Sequence, residues 1–138
     1  MLDELAIEGA DQIERRLGKR AALRALAPLL ESMPEGKARA RAHLRVMVLA
    51  APLEPERFET LAIAWEAERH GKHRDARRAV RALLREGPSD AAVALARAEL
   101  ARTRETFHEA GAAYLLGLAL EAARASGALE AYDRAARP

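Results

Sequence analysis

The run from Arg57 to Pro88 reads RFETLAIAWEAERHGKHRDARRAVRALLREGP. It carries two apolar stripes at helical spacing, Phe58, Leu61, Ala62 and Trp65 before Gly71, and Ala76, Val80, Leu83 and Leu84 after it. Residues three and four apart share one face of an α-helix, so each stripe marks a helix with one side to bury. Glycine and proline punctuate such patterns, which predicts helices over 56–70 and 74–86, stopped by Gly71 and Gly87-Pro88.

The same punctuation extends outward. Gly18 closes a first segment with Leu2, Leu5, Ile13 and Leu17 near helical spacing. A second runs from Lys19 to Ser32 and stops at Pro34-Glu35-Gly36; Pro28 inside it removes an i→i−4 bond and is expected to kink or divide it. A third covers Lys37 to Ala50 and ends at Pro52 and Pro55. Ser89 or Asp90 is the expected N-cap of a sixth. Beyond it two registers compete. One ends the sixth helix near Thr103 and starts another near Thr106; the other runs from Ala91 to Ala110, breaks at Gly111 and turns again at Gly127. The spacing Val93, Leu100, Phe107 favours the second. Either way the expectation is all-α, seven or eight short helices stacked as antiparallel hairpins.

Composition points the same way. Alanine supplies 34 of the 138 residues, leucine 20 and arginine 20, whereas Val, Ile and Thr together number ten. Alanine and unbranched side chains lose little freedom in a helix, and the residues that favour strands are scarce. The length predicts one domain over residues 1–138. A net charge of +2 gives no long-range basic field of the kind that marks nucleic-acid binders. Without cysteine there is no disulfide, thiolate metal site or thiol nucleophile. Absence of Asn and Cys fits a thermophilic source, and high-GC coding enriches Ala and Arg equally well. No apolar run reaches membrane length and Met1-Leu2-Asp3-Glu4 is no signal peptide, so a cytoplasmic location and no membrane partner are expected.

All three lysines follow a glycine and open a helix, and Gly36-Lys37 and Gly71-Lys72 are 35 residues apart. Residues 57–90 resemble one tetratricopeptide repeat: Gly71 at the turn, Ala76 at the small position of the second helix, Val80 at its larger apolar position, Pro88 closing it. One period on, Phe107, Ala110, Tyr114 and Gly117 fall at the matching places, though Glu105 and Ala122 replace the turn glycine and closing proline. The stretches Phe107 to Gly111 and Ser126 to Tyr132 are also similar to the helical repeats of large bacterial transcriptional regulators, of the maltose-regulator type. These resemblances imply a short right-handed tetratricopeptide-like α-solenoid over 36–137, with 1–35 as an N-terminal capping helix pair. They imply a protein-interaction module; the alternative is a sensing or dimerisation domain of a bacterial regulator.

Chemistry-bearing residues are few. Trp65 either anchors a partner in a groove or plugs the core, and the core placement is favoured. As a groove residue it groups with Arg69, one turn on, and with Arg97 and Arg102 on the next groove helix, a set suited to an acidic ligand. Arg74, Arg77, Arg78, Arg81 and Arg85 form a basic stripe. It offers an acidic-peptide or phosphate surface, or a solvated face partly neutralised by Glu66, Glu68 and Asp75; the solvated face is favoured. No aromatic interleaves these cations, which argues against single-stranded nucleic acid. His70 and His73 read as exposed turn histidines, with His43 and His108 far away in sequence, so no metal is expected. Ser32, Ser89 and Ser126 sit at helix boundaries as caps, and Glu66 and Glu68, two apart, cannot face one another on a helix. The expectation is therefore no catalysis, no cofactor, and a protein or peptide partner or a second copy of the chain.

Overall fold

The computed structural model describes residues 2–68 and 71–137, with side chains from residue 4 onward. Among the described residues there are eight helices and no strand: α1 (Leu2–Leu17), α2 (Lys19–Ser32), α3 (Lys37–Ala50), α4 (Pro55–Ala67), α5 (His73–Glu86), α6 (Ser89–Thr103), α7 (Glu109–Ala122) and α8 (Ala128–Ala136). Connections are short. Gly18 alone joins α1 to α2 at φ 95°, a left-handed conformation that a side chain would strain.

The helices pack as a solenoid-like array, because every packed pair is either consecutive or separated by one helix. The odd helices form a row, α1 on α3, α3 on α5 and α5 on α7, and α2, α6 and α8 close hairpins against it. The middle departs from a simple stack. Although consecutive, α4 and α5 do not pack on each other; α3, α4, α6 and α5 close a four-membered ring with α4 and α5 on its diagonal. The 57–90 pair is thus opened around α3 and α6. Leu26, Met47, Leu49, Trp65, Val80, Leu83, Leu95 and Leu115 are all but sealed from solvent in one continuous core. Burying an aliphatic side chain of this size contributes about 1.5–3 kcal/mol.

Four expectations are corrected. Of the two outcomes expected at Pro28, division does not occur: α2 runs unbroken from Lys19 to Ser32. Pro28 lies on the exposed side, where water can hydrogen-bond the carbonyl one turn back that the missing N–H leaves unpaired. Pro28→Ala is therefore expected to stabilise the protein by about 1–3 kcal/mol in urea unfolding, since alanine restores that bond at an exposed helical site. The helix begun at Pro55 ends at Ala67, with Glu68 extended at φ −74° and ψ 138°, so it does not run to the Gly71 turn. Pro88 rather than Ser89 or Asp90 occupies the N-cap of α6, and no side chain caps that end.

The favoured register beyond Ser89 is also wrong. The sixth helix stops at Thr103, whose hydroxyl donates back to the carbonyls of Glu99 and Leu100. The backbone N–H of Thr106 then bonds the Thr103 carbonyl, and Glu105 turns the chain at φ 65°. Phe107 consequently lies outside any helix and is 89% exposed, so it shares no buried stripe with Leu100. Gly111 does not break α7. An added Cβ there would come within 2.7 Å of Arg77 Nη2, so this glycine lets the arginine of α5 lie against α7.

Candidate functional site

The row of odd helices carries a trough of about 560 Å³. Its walls are α1 (Ile7, Asp11, Glu14, Arg15) and α5 (Asp75, Arg78, Ala79, Ala82, Arg85), with α3 (Arg41, Leu44, Arg45, Val48) between them. The helical period explains the shared face, since Arg41, Leu44, Arg45 and Val48 fall at i, i+3, i+4 and i+7, and Asp75, Arg78, Ala79, Ala82 and Arg85 at i, i+3, i+4, i+7 and i+10. Ile7, Leu44, Val48 and Ala79 are only 4–7% exposed, so they form a narrow apolar strip, and the charged side chains of the walls stand around it.

Among the described residues, five arginines face three carboxylates in this trough, a surplus of two positive charges. Arg45 uses two of those carboxylates: its Nε lies 2.9 Å from Asp11 Oδ1 and its Nη2 bonds Glu14. Among the described residues, Arg15, Arg41, Arg78 and Arg85 make no ion pair, so their guanidinium donors remain available. A second cleft, of about 520 Å³, lies between α2 and α4, with Ala27, Pro28, Leu30, Val46 and Leu61 in its walls. Its Arg24 and Arg57 are offset by Glu31, and Arg57 pairs with Glu54 at 3.4 Å, so it carries no comparable charge signature.

A separate polar cluster is buried between α4, α5 and α6. The Glu99 carboxylate, 2% exposed, accepts from Trp65 Nε1 at 3.2 Å, His73 Nδ1 at 2.6 Å and Arg102 Nη1 at 2.9 Å. Arg102 donates further to the carbonyls of Glu68 (3.0 Å) and Gly71 (2.9 Å), and its guanidinium lies 4.1 Å from the Trp65 ring centroid. These bonds hold Glu68 and Gly71 against α6. His108 stacks on His73 with centroids 4.1 Å apart and accepts from Arg77 Nη2 at 3.3 Å. His43 donates from Nε2 to the Leu61 carbonyl at 2.8 Å and lies edge-on to Trp65.

These positions redistribute the residues singled out in the sequence. Trp65 and Arg102 do meet, but inside the core, so neither faces a groove; Glu99 is the partner both share. Arg97 is exposed on α6, apart from them, and Arg69 and His70 lie outside the described residues. The basic stripe divides. Arg78 and Arg85 line the trough, Arg77 is half-buried against α7, and Arg74 and Arg81 are exposed elsewhere on α5. No ion pair joins the stripe to Glu66, Glu68 or Asp75 among the described residues; the Glu68 carboxylate instead lies 3.7 Å from His43. His73 is half-buried rather than an exposed turn residue, and it is brought against His108. Ser32 donates to the Leu29 carbonyl at the end of α2, as expected of a boundary serine.

Burial holds the pKa of His43 below its ordinary 6.5, outweighing the Leu61 carbonyl and Glu68, which favour the cation. His108 is also lowered, by desolvation first and then by the neighbouring His73 and Arg77. A lowered pKa means that below pH 6.5 the unfolded chain takes up protons that the folded chain refuses. The contribution of both groups is therefore complete above that pH and is lost as pH falls towards the folded-state values. The melting temperature is expected to drop between about pH 7.5 and about pH 5.5, with a shallower slope in the His43→Gln, His108→Gln double variant.

No helix among the described residues is long and apolar enough to cross a membrane, and no group of three or more metal-ligating side chains is present among them. No family model, curated protein or solved structure matches the chain.

Proposed function

We propose that this chain is a non-catalytic protein-interaction module, a tetratricopeptide-like helical array that presents the α1–α3–α5 trough to a segment of a partner protein. The observation that carries this reading is the trough itself, a concave face on a helical row, four of whose five arginines have no ion-pair partner among the described residues. The groups best suited to acid–base work are engaged elsewhere: His73 is held by Glu99, and Glu99 is shared with Trp65 and Arg102.

The test fills the trough without touching the core. Ala82 is half-buried on its wall, and Ala82→Trp adds bulk there. A tagged wild-type chain is expected to retain one protein from source-cell lysate after washing at high salt and nuclease treatment. Ala82→Trp should lose that protein, and Arg97→Ala, on exposed α6, should keep it. Equal recovery by the Ala82→Trp chain, with its helical circular dichroism unchanged, would contradict the proposal.

A further inference from the structure

We infer that the trough takes an extended acidic segment whose carboxylates recur every third residue, gripped by Arg78 and Arg85 on one wall. This rests on the interaction-module reading and names the chemistry of the partner. Arg78 and Arg85 are seven residues apart on α5, so two helical turns put them on one face about 10 Å apart along the axis. Ala79 and Ala82 lie between them and leave a shallow saddle without bulk. Arg15 and Arg41 supply further guanidinium groups on α1 and α3, with no ion pair among the described residues.

The shape of the trough selects the form of the ligand. A docking helix anchors through a continuous apolar face, and here the residues of the apolar strip are 4–7% exposed and have little apolar surface to give. A thin, extended chain fits better, with its side chains reaching the walls. In the polyproline II conformation residues i and i+3 return to the same side after roughly 9 Å, which matches the Arg78 to Arg85 spacing. Carboxylates at that interval would each meet a guanidinium, whose planar donors bind carboxylate in pairs. Asp11 and Glu14 do not cancel this attraction outright, because both are tied to Arg45. Among the described residues Asp75 is the one further carboxylate facing the trough, on the α5 wall one turn before Arg78. Nucleic acid would share the charge, but no aromatic side chain lines the trough for bases to stack on.

The experiment measures fluorescence anisotropy of a labelled alanine–proline peptide with glutamate at every third position, beside the same peptide with glutamine and a labelled oligothymidylate. The glutamate peptide is expected to bind wild type about tenfold or more tightly than the glutamine peptide, and to weaken as salt rises. Arg78→Ala with Arg85→Ala should lose about tenfold or more. Arg74→Ala with Arg81→Ala removes the same charge at the same spacing one turn away, outside the trough's lining, and should cost about threefold at most, clearly less than the Arg78, Arg85 pair. Equal binding of the two peptides, equal losses in the two double variants, tighter binding of the oligothymidylate, or no peptide binding would each overturn the inference. None of these would remove a cellular partner lost on Ala82→Trp, so failure of the ligand class is separable from failure of the interaction reading.

Discussion

Glu99→Ala is expected to lower the stability of the folded chain by about 3–5 kcal/mol, the cost of breaking a buried ion pair from one side. Among the described residues Glu99 is the only side-chain carboxylate bonded to Arg102, and the Arg102 side chain is just 4% exposed. Removing it strands a buried cation, with the Trp65 and His73 N–H groups left short of an acceptor. For a chain of this length the loss corresponds to roughly 10–15 °C in melting temperature. Glu99→Gln keeps an oxygen for Trp65 or His73 but no charge for Arg102, so it should fall between wild type and alanine. Urea unfolding followed by circular dichroism reads the series; a Glu99→Ala loss under about 1 kcal/mol would show that the cluster does not hold α4 and α5 to α6.

Trp65→Ala is the second large effect, again about 3–5 kcal/mol, here through the cavity left by a fully buried aromatic ring. The ring touches three things at once. Its N–H meets Glu99, its face receives Arg102, and its edge fills the space beside Gly71 where a Cβ would collide with it. Because Trp65 and Glu99 share Arg102, the double variant should cost less than the two single losses added together. Strict additivity would mean that the two side chains act independently.

Much of the fold could be read from the sequence because glycine and proline mark most helix ends. Gly18, Gly36, Gly87-Pro88 and Gly127 all fall between helices, and α3 has the bounds that its flanking prolines and glycine suggest. The turn after α6 is made differently. Thr103 and Thr106 close it with hydroxyl and backbone bonds, and neither glycine nor proline signals it. An apparent stripe through Phe107 then filled the silence. Glu99 was hidden in an alanine-rich helix, where a glutamate usually means a solvated face. One signal was available: Ala92, Leu95, Ala96, Glu99 and Thr103 fall at i, i+3, i+4, i+7 and i+11, which places the carboxylate on the buried face. Its partner Trp65 lies 34 residues earlier, the same spacing that separates Glu68 from Arg102. The trough was less accessible still, because it joins α1 to α5 across more than sixty residues, and only the packing of the odd helices puts Arg15 and Arg41 near Arg78 and Arg85.

The most direct measurement is site-specific photo-crosslinking in source cells, with a photoreactive residue placed in turn at Ala82, in the trough, and at Arg97, on α6. The account predicts a discrete heavier adduct from position 82 that is missing from position 97, with its attachment point in an acidic segment of the captured protein. Matching adducts at both positions, or an adduct at position 97 alone, would contradict the claim that partners bind along the α1–α3–α5 face.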